Sequence, residues 1–368
     1  MINKTNLYFL YLFLAFFSVN DFFVNPVYIL GVFLVVISFS FIKISSISKK
    51  SIVGFVFFLL TSLGFSLGFY FQDFYYKEIS PNYLSSILFC YSILLGVFSY
   101  EIGRAVNFDS RKYVYRLVNI SLLIFMALEL ISRLLNPDYS EYSFYKYKDS
   151  VLYYDSNFTG IILSVFLMFF VYLKKNKIYD IGNICFLIYF LFLILTISRA
   201  SIFAFIFSYI CVVFFGKYFK YFAVIVLSIS LYFAIKMVNM YLNGESFIDI
   251  DGSFNSKFYI ISQAIDLYGG LPILLKFFGI GLANFASYAG IFAHNIVVTF
   301  VFELGFFGSF LFIIYFIYLY YRTHGAILYI LMPVLIGGFS LFSAYSAFLF
   351  ILSSVILIES NFVKQVRN

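Results

Sequence analysis

The sequence predicts an all-α polytopic membrane protein, and two observations lead to that prediction. Hydrophobic residues make up 63% of the 368 positions and charged residues only 11%, which is far from the balance of a soluble domain. Apolar runs long enough to cross a bilayer, some of them marginally, recur along the whole chain. These runs are expected to be helices because an open sheet edge cannot satisfy its backbone polar groups in lipid.

About twelve transmembrane helices are expected, so residues 1–368 form a single multi-span membrane domain. The first run has the length of a signal peptide, but no small-residue cleavage site follows it, which predicts an uncleaved first span. The predicted spans are 6–21, 25–42, 51–71, 82–99, 115–135, 156–173, 181–198, 201–216, 219–238, 295–319, 326–341 and 343–358.

The charges predict the orientation of these spans. Most of the 24 Lys and Arg residues fall in one set of alternate loops, and most acids fall in the other set. By the positive-inside rule the basic loops and both termini are cytoplasmic. Because the charges are scattered between spans and form no single basic patch, nucleic acid is not an expected partner.

Two of the outer loops are long. One covers residues 136–155, and the other covers residues 239–293, more than a connection between neighbouring helices needs. Within the second, apolar residues at 258, 260, 261, 264, 265 and 268 have helical spacing, which predicts an amphipathic helix near 257–268 lying on the outer membrane face.

The outward ends of the predicted spans collect polar residues of complementary kinds. A titratable imidazole at a membrane boundary is a candidate for chemistry. A carboxylate about 13 Å further along the same predicted helix is costly unless it is paired or used. The residues at these positions are Asp155, Asn157, Arg199, Lys257, His294 and Asn295, with Glu303 as the deeper carboxylate.

Each of these residues also has a structural explanation. Asp155 and Asn157 are good helix N-caps, and His294 could cap its own helix or contact lipid headgroups. Arg199 could extend to the headgroups, and Lys257 could be a solvated loop residue. For Glu129 and Arg133, four residues apart on one predicted helix, a structural ion pair is the favoured interpretation.

The three cysteines predict neither disulfides nor a metal site. Cys90, Cys185 and Cys211 all lie inside apolar runs and have no paired spacing. No other cluster of metal-ligating residues is visible in the sequence, so no metal or other cofactor is expected.

Six short motifs follow one another in the second half of the chain: Asp155-Ser-Asn157, Thr196-Ile-Ser198-Arg199, Ser256-Lys257, Phe278-Gly-Ile-Gly281, Ala293-His294-Asn295 and Glu303-Leu-Gly305. This ordered set resembles the O-antigen ligase/polymerase superfamily, most of all its Wzy-type O-antigen or capsule polymerases. The resemblance covers roughly residues 150–310 and rests on the order of the motifs, since no single one is specific. One departure is that Lys257 stands where the family usually has Arg, and lysine cannot make the planar bidentate contact with phosphate that arginine makes.

The resemblance implies a GT-C-like membrane fold and a glycosyltransferase of the bacterial inner membrane, with the outer loops in the periplasm. Its substrates would be oligosaccharide units on undecaprenyl pyrophosphate, and a chain-length regulator is an expected partner besides membrane lipids. His294 would then be the general base, and Arg199 with Lys257 would bind the pyrophosphate. Asp155, Asn157, Asn295 and Glu303 would support the site.

Three other functions remain open on the sequence. One is a non-catalytic membrane scaffold or receptor that uses the outer loop of residues 239–293 as a binding surface. An O-antigen ligase would use the same donor and the same His-Asn pair, but its acceptor would be lipid A-core. A flippase or other transporter of lipid-linked oligosaccharides belongs to a different class and would place its charges along a central cavity. Here the charges gather at the outer rim, and Glu303 alone favours the transporter.

Overall fold

The computed structural model describes residues 3–18, 26–138, 146–147, 156–214, 252–339 and 347–367, with a few isolated residues between 218 and 243. Over these ranges the chain is helical, and no β-strand occurs in them. The predicted spans 219–238 and 343–358 fall wholly or partly outside the described residues.

The described part of the chain contains fifteen α-helices, numbered here in chain order. The first, α1, continues as a short 3₁₀ turn to Phe17, and α8 continues as a π-helical turn to Phe214. The helices are α1 Lys4–Leu14, α2 Pro26–Phe39, α3 Lys49–Tyr75, α4 Tyr83–Arg104, α5 Phe108–Leu135, α6 Ser156–Lys175, α7 Gly182–Leu195, α8 Arg199–Tyr209, α9 Gly252–Gly270, α10 Ile273–Phe278, α11 Phe285–Ala289, α12 Ile296–Val298, α13 Gly305–Arg322, α14 Leu328–Gly338 and α15 Ala347–Arg367.

Six of the described helices, α3, α4, α5, α6, α13 and α15, are long and apolar enough to cross a membrane. Five more, α1, α2, α7, α8 and α14, are apolar but shorter. The prediction of an all-α membrane protein is therefore confirmed. The count of twelve spans stays a prediction, as does the GT-C fold.

The bundle has two ends, which are told apart by the helix termini and the polar contacts found there. At one end Lys50 donates a hydrogen bond to Asn361 at 2.6 Å, and Arg104 pairs with Glu101 at 2.6 Å. This is the basic end, where α3 begins and where α4, α13 and α15 finish. The opposite end, which carries α9 to α12, is the loop end.

A buried ion pair joins three helices at the basic end. Arg111 Nε on α5 lies 2.6 Å from Glu359 Oε1 on α15, and Tyr115 donates to the same carboxylate oxygen at 2.5 Å. The Tyr115 hydroxyl lies 3.4 Å from that of Tyr8 on α1. Glu359 is fully buried, so removing either charged partner would leave the other charge uncompensated.

The predicted span 295–319 is not one continuous helix. It consists of α12, a π-helical turn over Thr299–Glu303, and α13, which begins at Gly305 with a left-handed φ of 63°. Here another segment crosses the helix backbone, and the amides of Ile280 and Gly281 donate to the carbonyls of Phe302 and Glu303, each at 3.0 Å. These two carbonyls therefore accept hydrogen bonds from the crossing segment. Glu303 lies where the helix is interrupted, and not deep inside a continuous span.

Three glycines allow this crossing, which we call the glycine crossing: Gly68, Gly279 and Gly305. An added Cβ at Gly305 would lie 2.3 Å from the backbone nitrogen of Gly279, and one at Gly279 would lie 2.3 Å from the carbonyl oxygen of Glu303. On the other side, a Cβ at Gly68 on α3 would lie 2.5 Å from the carbonyl oxygen of Gly279. Three backbones therefore pack at distances that no side chain permits.

The glycine crossing predicts the effect of adding one methyl group. Gly305→Ala combines a left-handed φ with a clash against backbone and is expected to destabilise the protein by roughly 2–5 kcal/mol. Gly290→Ala is the matched control, because Gly290 also has a left-handed φ, of 70°, but has no atom within 4 Å of the added Cβ. That change is expected to cost only about 1–2 kcal/mol. Thermal unfolding in detergent measures both, and equal losses would contradict the crossing.

Candidate functional site at the loop end

Helices α6, α8 and α14 approach closely through small residues, which we call the small-residue contact: Gly160, Ser201, Ala204 and Gly337. An added Cβ at Gly160 would lie 2.7 Å from the Cβ of Ser201, and one at Gly337 would lie 3.7 Å from the Cβ of Ala204. Small residues let membrane helices pack backbone to backbone. The contact brings together the loop ends of these three helices, which carry Asn157, Arg199 and Phe339.

Arg199 is the first residue of α8, and its side chain is exposed. Ser198 precedes it as the N-cap, with its hydroxyl accepting a hydrogen bond from the Ser201 amide. A cation at a helix N-terminus opposes the helix dipole. The same position adds a guanidinium to the positive end of a helix, which is a suitable arrangement for binding an anion.

The turn before Arg199 is strained. Ile197 has a φ of 60°, in the left-handed region that β-branched residues rarely adopt. Two further non-glycine residues at the loop end, Ala283 and His294, have positive φ values of 61° and 35°. Strained backbone persists where the surrounding structure requires it, and it is often found at functional sites.

His294 lies directly before α12, and its side chain is exposed. The N-cap of this helix is its neighbour Asn295, whose Oδ1 accepts hydrogen bonds from the amides of Val297 at 2.8 Å and Val298 at 3.4 Å. The capping role considered for His294 therefore belongs to Asn295. The imidazole ring lies 5.6 Å from the ring of Phe292.

Asn295 also connects the His294 segment to the small-residue contact. Its Nδ2 donates to the carbonyl of Phe339, just beyond α14, at 2.9 Å. Asn157, in the first turn of α6, is half-buried, and its carbonyl accepts a hydrogen bond from the Ser201 hydroxyl of α8 at 3.4 Å. A chain of contacts thus joins the segments that carry Asn157, Arg199 and His294.

Two predicted site residues are only partly placed. Asp155 lies outside the described residues. Lys257 lies on α9, in the position of the predicted amphipathic helix, and no side-chain position is described for it. The helix itself packs against α11 and α12, with Ile260 and Ala264 buried in a local core. Its backbone therefore lies beside the short helix that follows His294.

Glu303 is held by the backbone of the segment that leads to His294. Its Oε1 accepts a hydrogen bond from the Phe285 amide at 3.3 Å, and its carbonyl accepts one from Gly281. The side chain is 4% exposed. Of the two roles considered, orienting the histidine segment fits these contacts, and no cation pairs with Glu303 among the described residues.

Sequence analysis did not identify three residues that fasten the same segment to α4. The Asn82 amide donates to Asn284 Oδ1 at 2.5 Å, and Asn284 Nδ2 donates back to the Asn82 carbonyl at 3.2 Å. The Leu282 amide donates to the Ser86 hydroxyl at 2.9 Å. Asn284 is fully buried. An asparagine in an apolar stretch is a signal for a buried partner, but no local pattern identifies one 202 positions away.

A second buried polar cluster lies at the loop end of α5. Glu129 and Arg133 are each 2% exposed. The Thr159 hydroxyl of α6 donates to Glu129 at 3.3 Å, and Arg133 Nε donates to the carbonyl of Tyr147 at 2.8 Å. The pair predicted as a local structural element of one helix therefore also contacts α6 and the loop of residues 136–155.

No known protein family matches this chain, and neither the curated proteins nor the solved structures contain a significant match. The described residues contain no group of three or more His, Cys, Asp or Glu side chains that could hold a metal ion.

The contacts of Asn284 predict that its loss loosens the His294 segment. Asn284→Ala removes both part-buried hydrogen bonds to the backbone of Asn82. Since a hydrogen bond contributes about 0.5–1.5 kcal/mol, the expected cost is about 1–3 kcal/mol. Hydrogen exchange of residues 279–289 should accelerate by at least about tenfold, while α5 stays protected. Asn136→Ala is the control, because Asn136 is exposed and its amide donates to the Ser132 carbonyl of its own helix, away from the His294 segment. Unchanged exchange in Asn284→Ala would contradict the fastening role.

Proposed function

We propose that the protein is an O-antigen polymerase, a glycosyltransferase that joins oligosaccharide repeat units carried on undecaprenyl pyrophosphate. The growing glycan leaves its lipid carrier and is transferred to the non-reducing end of the next lipid-linked unit, at the periplasmic face of a bacterial inner membrane. The observation that supports this most is the gathering of an exposed arginine and an exposed histidine at one end of a membrane bundle, on separate strained turns.

Arg199 is proposed to bind the pyrophosphate of the donor. In the transfer, the bond between the anomeric carbon and the pyrophosphate oxygen breaks, and the departing pyrophosphate keeps the electron pair. Positioned cations stabilise this developing negative charge. Arg199 is supported by its place at the N-terminus of α8. Lys257 is a second candidate for binding the pyrophosphate, because the helix that carries it, α9, packs beside α12.

His294 is proposed to act as the general base. The acceptor hydroxyl forms the new bond to the anomeric carbon and gives its proton to the imidazole, the side chain that most often serves as a general base. The His294 ring is exposed and therefore accessible to substrate. The backbone of its segment is held in place by the contacts of Asn295, Glu303 and Asn284. Asn157 and Asp155 are proposed to shape the site beside Arg199.

The contacts of Glu303 weaken the case for a transporter. Glu303 was the one residue that favoured a transporter. Its carboxylate accepts a hydrogen bond from the Phe285 amide, and no cation pairs with it among the described residues. An O-antigen ligase uses the same donor and could use the same residues, so the acceptor separates it from a polymerase.

The proposal predicts the pattern of surface polysaccharide made by a host strain that lacks this gene. A gel of its lipopolysaccharide should show core carrying a single repeat unit, and the wild-type gene should restore the ladder. His294→Ala should fail to restore it, because losing a general base slows transfer by about 10²–10⁴-fold. His324→Ala is the matched control, since His324 lies in a turn at the basic end and should restore the full ladder.

Other gel patterns would contradict the proposal in identifiable ways. Bare core with polymer accumulating on the lipid carrier would indicate a ligase, and bare core with unpolymerised units held inside would indicate a flippase. A full ladder from His294→Ala would remove the histidine from the mechanism.

Arg199→Lys should retain more activity than Arg199→Ala, because lysine keeps the charge but not the bidentate contact.

A further inference from the structure

A cleft opens at the basic end between four helices, far from the proposed active site. Its walls come from α3, α4, α13 and α15, and they mix apolar side chains with hydroxyl groups. Two glycines let its walls pack closely, since an added Cβ at Gly54 would lie 2.5 Å from Val97 Cγ2 and one at Gly96 would lie 2.8 Å from Phe350 Cβ. Lys50, half-buried in the first turns of α3, contributes a positive charge to this cleft.

Two cations at this cleft have no acidic partner in the described part of the chain. Lys50 Nζ donates to Asn361 Oδ1 at 2.6 Å, and Lys50 makes no ion pair there. Arg322 is the last residue of α13, one turn beyond Leu319, which lines the cleft. Its guanidinium carbon lies 5.5 Å from the ring centroid of Tyr318, and it too makes no described ion pair. Arg322 is exposed, and its place on α13 one turn beyond Leu319 puts it at the mouth of the cleft.

The nearby carboxylates are already bound to other groups. Glu101 pairs with Arg104 at 2.6 Å and also accepts hydrogen bonds from Ser48 and Ser51. Glu359 pairs with Arg111 and accepts from Tyr115. Lys50 is half-buried and Arg322 is exposed, and neither makes an ion pair in the described part of the chain. An anion at the mouth of the cleft would therefore interact favourably with both charges.

The surfaces beside the cleft are strongly apolar. On α3, Ile52 is 51% exposed, and on α13 Ile317 is 49% and Tyr321 72% exposed. The same faces continue along both helices through Val56, Leu59, Ile313 and Ile314. A ligand that carries a negative charge next to long apolar chains would match the two cations and the apolar faces together, whereas a small anion would use only the cations.

We infer that the mouth of this cleft, where Lys50 lines the wall and Arg322 ends α13, binds the phosphate headgroup of an anionic phospholipid, whose acyl chains lie along α3 and α13. Arg322 supplies a planar fork for the phosphate, and Lys50, oriented by Asn361, supplies a second, point-like charge. Basic pockets between membrane helices are a general form of lipid-headgroup site. The inference is independent of the proposed enzymatic activity, because the cleft lies at the other end of the bundle.

The test is a lipid titration of the full-length purified protein in detergent, read by native mass spectrometry and by the thermal unfolding temperature. Cardiolipin and phosphatidylglycerol should bind and raise the unfolding temperature, while phosphatidylcholine should have a much smaller effect. Each basic residue near an anionic headgroup contributes about fivefold in affinity. The double variant Lys50→Gln/Arg322→Gln should therefore bind cardiolipin roughly 25-fold more weakly.

Two further variants make the result specific. Lys174→Gln/Lys175→Gln removes the same charge from the last turn of α6, where Lys174 already pairs with Asp180 at 3.3 Å, and it should bind like wild type. Lys50→Arg keeps the charge and should also retain binding, which separates lost binding from lost folding. Equal weakening in the Lys174/Lys175 variant, or full affinity in the Lys50/Arg322 variant, would overturn the inference. So would stabilisation by inorganic phosphate equal to that by lipid.

Discussion

The close packing of α6, α8 and α14 is the constraint on which the candidate site depends. Hydrophobic driving force does little between helices in lipid, so their approach depends on small side chains that let the backbones meet. Gly160 faces Ser201, and Gly337 faces Ala204, in the half of the bundle nearest the loop end. Larger residues there would separate the helix ends that carry Asn157 and Arg199 and would move the Phe339 carbonyl away from Asn295.

A second constraint holds the segment that carries His294. It enters through the glycine crossing, where three backbones meet, and ends at Asn295, which caps α12 and reaches Phe339. Between these points the segment is held by buried polar contacts from α4 and from Glu303. An exposed histidine with a strained φ can persist there because its neighbours on both sides are fixed. The site therefore combines an accessible side chain with a held backbone.

Much of this arrangement could be predicted from the sequence, because hydropathy and charge act locally. The long apolar runs gave most helices within a few residues, and the polar residues at their outward ends gave the segments that meet at the loop end. The break of the span 295–319 at Gly305 could not be predicted, since a helix crossed by another backbone has the same apolar composition as an uninterrupted one. The partnership of Asn82 and Asn284 was hidden for a related reason, as it joins residues far apart in the chain. The charge pattern predicted a basic end, but not that Lys50 would line a cleft with Arg322 at its mouth.

The central claim is that α8 and α14 lie side by side, so that the Arg199 and His294 segments meet. The most direct measurement is disulfide cross-linking of Ala204→Cys with Gly337→Cys in a chain whose Cys90, Cys185 and Cys211 are replaced by alanine. The Cβ positions are 3.7 Å apart, which suits a disulfide. The account predicts rapid cross-linking under mild oxidation in the membrane, and none for Ala204→Cys with Gly54→Cys, because Gly54 faces Val97 and Tyr315. Absence of the 204–337 cross-link, or equal yields from both pairs, would contradict the account.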